Sequence, residues 1–252
     1  MSTAEFLNTA EYVITRPQGQ AENLLADLKD HIPQSHFHHL PLINICPIDY
    51  QIPRSKYNKT IFISPNAVEC YFRGETCDSP EYFAVGESTA RKIKAFSDQA
   101  ITCPKQMNVE GLLEMEALQS VAGQSILIVK GIGGREKLAD ELIARGAEVT
   151  ELAVYERKLP DLASQKAIQK QHASNLVWIL TSAQAMNHLH RILGLAANSN
   201  HATKVIVSSD RLKQLAIQKG FEIVAQSASA LDAQLVQCVK SLYFQREQSF
   251  SG

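Results

Sequence analysis

No stretch of this sequence approaches the roughly 20 consecutive apolar residues that a membrane-spanning helix needs, so no membrane association is expected. The N-terminus has no basic start followed by an apolar run, which predicts no signal peptide and a cytoplasmic location. Cysteine is sparse. Cys46, Cys70, Cys77, Cys103 and Cys238 form an odd, scattered set without a CxxC pair, a poor basis for disulfides or zinc. There is no GxSxG elbow, no HExxH and no GxxxxGK[ST] loop, which leaves no standard nucleophile, zinc or P-loop motif. An excess of one charge is missing too: 25 Lys and Arg face 26 Asp and Glu, so no global field recruits nucleic acid. What is there is globular. Hydrophobic residues make up 45% of 252, enough chain for two cores.

Short β-branched runs alternate with helical patterns along the chain. Predicted strands begin at Tyr12, Thr60, Tyr82, Ser125, Leu176, Lys204 and Phe221, most of them apolar throughout. Such strands, separated by helices, indicate parallel sheets covered on both faces. In the first helix, Leu24, Leu25, Leu28 and Ile32 fall on one face, and a later helix ends at Gly146 as a left-handed cap. Residues 1–10 and the tail after Leu242 read as frayed ends.

Three unit types then repeat. Arg16, Gly19, Glu22, Leu24 and Leu28 match Lys130, Gly133, Glu136, Leu138 and Leu142 in a first type. A second aligns Ser64 with Ser182 in IFISPNAV and WILTSAQAM, and a third aligns Gly86 with Ser208. The order along the chain is first, second, third, then the same again. If the middle second and third units share a sheet with the Lys130 unit, the Arg16 unit must join the C-terminal ones. This predicts an inserted α/β domain at 44–158 and a discontinuous one at 1–43 plus 159–252. Extended crossings near LPLINICP and AVYERKLP suggest a two-stranded hinge.

In such sheets ligands bind beyond the carboxyl ends of the strands. KGIGGR at Lys130 follows a strand and brings Lys130 and Arg135, with glycines that allow close backbone approach. The loops at Ser64, Gly86, Thr181 and Ser208 offer hydroxyls and free amides. Each alone is most simply a helix cap; together they suit a ligand with many carboxylates. His36, His38, His39, His188 and His190 have no partner at metal-ligand spacing and read as surface residues.

Taken together, these stretches resemble the uroporphyrinogen-III synthase family. The matching segments are VITRP at Val13, IFISPNAV at Ile61, FAVGESTA at Phe83, VEGLL at Val109, Lys130 to Arg157, ILTSAQAMNHL at Ile179 and VIVSSDRLKQLAIQKGF at Val205. The resemblance implies two similar α/β domains with an active-site cleft between them, and a substrate, hydroxymethylbilane, a linear tetrapyrrole with eight carboxylates delivered by hydroxymethylbilane synthase. The product would be uroporphyrinogen III, closed with its last ring inverted through a spiro intermediate, with no metal or organic cofactor. Tyr155 in VYER matches the family's tyrosine and is expected to assist the leaving hydroxyl, and Thr89 matches its functional threonine. Ser64, Ser88, Ser182, Ser208 and Ser209 are expected carboxylate contacts, and Arg16, Gly86, Lys130 and Gly131 complete the candidate binding set. Two positions depart from the family: Ile63 stands where Thr is frequent, and Lys130 where Arg is common, which loses the bidentate fork. A monomer in transient contact with hydroxymethylbilane synthase is expected. The rival readings are a two-lobed small-molecule binder and a nucleotide-using enzyme built on KGIGGR.

Overall fold

The computed structural model describes residues 10–33, 36–54, 56–77, 79–134, 136–170, 175–194 and 203–248. The chain divides into two compact units: Met1–Asn44 with Lys158–Gly252, and Ile45–Arg157. The first holds a five-stranded sheet in the order β11-β10-β9-β1-β2. Its strands are β1 (Glu11–Ile14), β2 (Phe37–His39), β9 (Leu176–Leu180), β10 (Lys204–Val207) and β11 (Glu222–Gln226). The inserted unit holds a six-stranded sheet in the order β3-β8-β7-β4-β5-β6. Its strands are β3 (Asn44–Pro47), β4 (Lys59–Phe62), β5 (Tyr82–Ala84), β6 (Ile101–Thr102), β7 (Ser125–Gly131) and β8 (Glu148–Lys158). Pairing is parallel from β11 through to β2 and from β8 through to β6. The chain leaves the first unit within β3 and returns to it at the end of β8.

The repeated units occupy equivalent places. Read from one edge, β10, β9 and β1 carry the third, second and first unit types, and β5, β4 and β7 carry them in the same order. By that correspondence β2 is the counterpart of β8.

Burial explains the nearly continuous apolar strands. In the inserted sheet Phe62, Ala84, Leu127 and Val129 join one core, packed against α2 (Pro65–Phe72) and α3 (Glu87–Lys94). Their neighbours Ile61, Phe83, Ile126 and Ile128 join the opposite core, with α4 (Val109–Glu114) and α5 (Lys137–Ala144). Alternation is present in space but invisible in polarity, because helices cover both faces. In the first unit, Tyr12, Ile14, Val177, Ile179 and Ile206 pack on α1 (Glu22–Lys29) and α9 (Asp232–Gln248). The connecting helices of that unit are α6 (Leu162–Lys170), α7 (Ala183–Leu193) and α8 (Asp210–Gln218).

Three expectations change. The helix α1 stops at Lys29, so Ile32 is buried beyond its end, and Leu25 is half-buried beside the buried Leu24 and Leu28. The segment after Leu242 continues α9 through Gln248 rather than fraying there. His38 and His39 lie in strand β2 and are half-buried with named partners: Glu11 for His38, the Arg16 carbonyl at 3.0 Å for His39. His36 meets the Ala10 carbonyl at 3.2 Å, and His188 the Leu42 carbonyl at 2.7 Å. Arg135 and residues 1–9 and 249–252 lie outside the described residues. Among the described residues no helix is long and apolar enough to cross a membrane, and no group of His, Cys, Asp or Glu could hold a metal ion.

Candidate active site

Because the strands from β11 through to β2 and from β8 through to β6 run parallel, the carboxyl ends within each run share one edge. In the inserted unit that edge collects Ser64 after β4, Gly86 to Thr89 after β5, Gly131 ending β7 and Tyr155 in β8. The loop after β4 enters α2 at Ser64, whose extended backbone and short hydroxyl suit an N-cap: Oγ accepts from the Ala67 N–H at 3.1 Å.

Tyr155 reaches the same serine from two strands away. The order is β8-β7-β4, and neighbouring strands lie about 4.8 Å apart, so the phenol must pass over β7. Gly131 makes that passage possible. The register shifts between Lys130 and Gly131, setting Gly131 opposite Tyr155, and a Cβ on Gly131 would lie 2.6 Å from Tyr155 Cζ. With the glycine bare, Tyr155 Oη comes 3.1 Å from Ser64 Oγ. The ring itself is fully buried, at 0% exposure.

Arg157 completes this group, and sequence reasoning passed over it. Its Nη2 donates to Tyr155 Oη at 2.6 Å, and its guanidinium carbon lies 5.2 Å from the ring centroid. The available signal was spacing: residues two apart on a strand lie on one face, so the arginine of VYER follows its tyrosine.

Thr89 sits in the first turn of α3, 1% exposed, and its Oγ1 has no hydrogen-bond partner among the described residues. A buried hydroxyl without a partner costs about 1–3 kcal/mol, so its presence calls for a reason. Tyr57, Thr60 and Gln124 also carry unpartnered buried atoms, but they lie at the start of β4 or before β7, away from this edge. Gly86 caps α3 through its backbone alone, and a Cβ there would sit 3.0 Å from that of Met107. Ser88 is exposed.

Lys130 differs from its expected role as a loop cation. It is the sixth residue of β7, 8% exposed, and its ammonium is paired with Glu151 on β8. A buried ammonium with a carboxylate partner is already neutralised locally.

The equivalent edge of the first unit is occupied differently. Ser182 caps α7 by accepting from the Ala185 N–H at 3.1 Å, and Ser209 caps α8 by accepting from the Leu212 N–H at 3.3 Å. Ser208 is 6% exposed between β10 and α8. Arg16 is bound within its own unit: it donates to Asp232 Oδ1 at 2.5 Å, to the Ala230 carbonyl at 2.5 Å and to the Gln20 carbonyl at 3.4 Å. It joins the loop after β1 to the start of α9.

Two parallel α/β units of common strand order, hydroxyls capping the helices after their strands, and a buried Tyr–Ser pair at one carboxyl edge define a class of paired α/β proteins. The family model described as Uroporphyrinogen-III synthase HemD matches residues 35–237, which takes in every candidate residue except Arg16. The chain belongs to the uroporphyrinogen-III synthase family. It is 32% identical to the uroporphyrinogen-III synthase of Escherichia coli over 60% of this chain and 63% of that protein. It is also 32% identical to that of Proteus mirabilis, over 61% of this chain and 83% of the relative. The match thus spans less than two thirds of the Escherichia coli relative's length. The crystal structure of uroporphyrinogen-III synthetase from Helicobacter pylori superposes with a TM-score of 0.60 at 18% identity, covering 90% of this chain and 96% of that one. A mutant uroporphyrinogen III synthase from Thermus thermophilus gives 0.52 at 14% identity, over 94% of this chain and 100% of that one. These two likenesses concern the fold.

Proposed function

We propose that this chain is an enzyme of porphyrin biosynthesis that closes hydroxymethylbilane to uroporphyrinogen III, with inversion of the last pyrrole and loss of water. Family membership supports the reading, and the observation that carries it within the chain is the Tyr155–Ser64 hydroxyl pair at the carboxyl edge of the inserted sheet. The reaction asks little else of polar groups. Departure of the terminal hydroxyl leaves an azafulvenium ion stabilised by the pyrrole nitrogen, and a hydroxyl donor is what that departure needs. The attack on the substituted carbon of the last ring, through a spiro intermediate, is set by how the chain is folded, a task of positioning.

The eight carboxylates are served, on this reading, by donors that need no net positive charge. Helix N-termini after β4, β5, β9 and β10 offer amide N–H groups, and Thr89 adds a hydroxyl whose hydrogen-bonding capacity is unused among the described residues. Ser88, Ser182, Ser208, Ser209 and Gly86 belong to these loops, and Gly131 ends β7. Lys130, already ion-paired with Glu151, contributes to a carboxylate site by exchange of partner rather than as a free cation, whereas Arg16, tied to Asp232 and two carbonyls, serves as a staple within its own unit.

The test is a coupled assay in which hydroxymethylbilane synthase supplies the substrate and the uroporphyrin isomers are separated after oxidation. Isomer III as the main product is expected. Isomer I alone, the product of unassisted closure, would overturn the reading.

A further inference from the structure

The hydrogens of the Tyr155 group can be placed from its partners. Arg157 only donates, so the phenolic oxygen accepts from Nη2 at 2.6 Å. Ser64 Oγ accepts from the Ala67 N–H at 3.1 Å. Two hydroxyl hydrogens remain, and the 3.1 Å contact between Ser64 and Tyr155 can hold one of them. Suppose that Ser64 gave its hydrogen to Tyr155. The phenol's own hydrogen would then have no acceptor among the described residues, inside a core where the ring is 0% exposed. A buried unmet donor bears its full desolvation cost. The satisfied arrangement runs one way: Arg157 to Tyr155, Tyr155 to Ser64. The Ser64 hydrogen is left over, and Ser64 is half-buried while Tyr155 is enclosed.

We propose that Ser64, not Tyr155, is the catalytic hydroxyl that meets the departing group, and that Arg157 is a positioning residue acting through Tyr155. The assignment rests on the ring-closure reading above and refines it. The C–O bond of the hydroxymethyl group breaks with its electron pair going to oxygen, which takes the Ser64 proton and leaves as water. The Tyr155 proton passes to Ser64, and the phenolate is held by the Arg157 guanidinium. Closure of the macrocycle releases one proton from the attacked pyrrole, which restores the phenol, so no external acid or base is consumed. A cation at the far end of a hydrogen-bonded chain polarises every member of it, which strengthens Ser64 as a donor.

The experiment measures single-turnover rate, kcat, KM, isomer ratio and melting temperature on the full chain and its variants. Ser64→Ala is expected to lose about 10²-fold in rate, and Ser64→Thr, which keeps both cap and hydroxyl, to recover most of it. Arg157→Gln should lower kcat by about 10–10²-fold at unchanged KM, with no further loss when added to Tyr155→Phe. Additive losses in that double variant would overturn the proposal, as would an Arg157→Gln whose defect lies in KM alone, the signature of a carboxylate contact. A Ser64→Thr as slow as Ser64→Ala, with the melting temperature of the unsubstituted chain, would also overturn it. If the unsubstituted chain yields isomer I alone, the ring-closure reading falls and takes this assignment with it. Any of the other adverse outcomes, in a chain that does make isomer III, removes the assignment and leaves the reading standing.

Discussion

Ser64 and Ser182 hold the same place in two sheets of the same strand order, and each caps the helix that follows it. Ser64 has a second partner, a phenol from β8, and Ser182 has none among the described residues. The difference comes from the strand two places away. In the inserted sheet that strand is β8, eleven residues long, carrying Tyr155 past Gly131 to the edge. In the first unit its counterpart is β2, three residues long and followed by Leu40, Pro41 and Leu42, without a hydroxyl. One scaffold has thus spent its hydroxyls on caps and its cation on a staple, while the other has linked cap, phenol and guanidinium. A duplicated framework can keep its packing rules in both copies and place chemistry in one.

The most severe way to break that difference is Gly131→Ala. The added carbon would stand 2.6 Å from the Tyr155 ring, with core on the ring's other side, so the ring or the strand must move. We expect a loss of about 10²-fold or more in rate. A fall in stability of about 1–3 kcal/mol should accompany it, read by denaturant titration. An unchanged rate would show that the phenol's position does not matter. Tyr155→Phe should separate the two effects. It deletes the hydroxyl and keeps the packed ring, so a rate loss of about 10²-fold is expected with little change in melting temperature and isomer III still dominant. A normal rate with a large fall in melting temperature would make Tyr155 a packing residue.

In the other unit, Arg16→Ala removes an ion pair and two carbonyl contacts that tie β1's loop to α9. A stability loss of about 1.5–3 kcal/mol is expected, with KM little changed. The reverse pattern, normal stability and raised KM, would return Arg16 to the substrate-binding set. Ser182→Ala should cost about 0.5–2 kcal/mol as a lost cap and leave the rate near that of the unsubstituted chain, in contrast to Ser64→Ala. Equal rate losses at both serines would erase the asymmetry.

The smallest effect expected is a pH dependence on the face of the inserted unit away from this chemistry. The Glu69 carboxyl lies below its ordinary value of 4.5, chiefly through its hydrogen bond with Lys92, with Arg73 adding to it. A depressed carboxylate stabilises the folded state above its ordinary value, and that stabilisation is lost as pH falls through the folded one. Acid unfolding followed from pH 4.5 downward should therefore be shallower in Glu69→Gln. Curves that coincide would show the pair to be screened out by solvent.

How much of this was legible varies with burial. Strands covered on both faces announce themselves, as LVWIL and SILIV do, since nearly every residue is apolar. The short β2 and β6 do not: FHH and IT are half-buried or exposed pieces at sheet edges, where polarity no longer tracks pairing. The histidines of β2 were misread for that reason, because a strand edge supplied carbonyl and carboxylate partners from distant residues. Lys130 was misread as a loop cation because its partner Glu151 comes from the neighbouring strand, 21 residues on.

The sequence by itself determined the periodic features: which apolar runs form the central strands, which serines cap helices, and where glycine must replace a side chain. Those follow from local sterics and from burial patterns a few residues long. It also named Tyr155 and Ser64 separately, through their motifs. That the two touch and that Arg16 is already bound were decided by tertiary structure. The contacts join residues 91 and 216 positions apart, set by strand order and register, and no local preference encodes a distance of that kind.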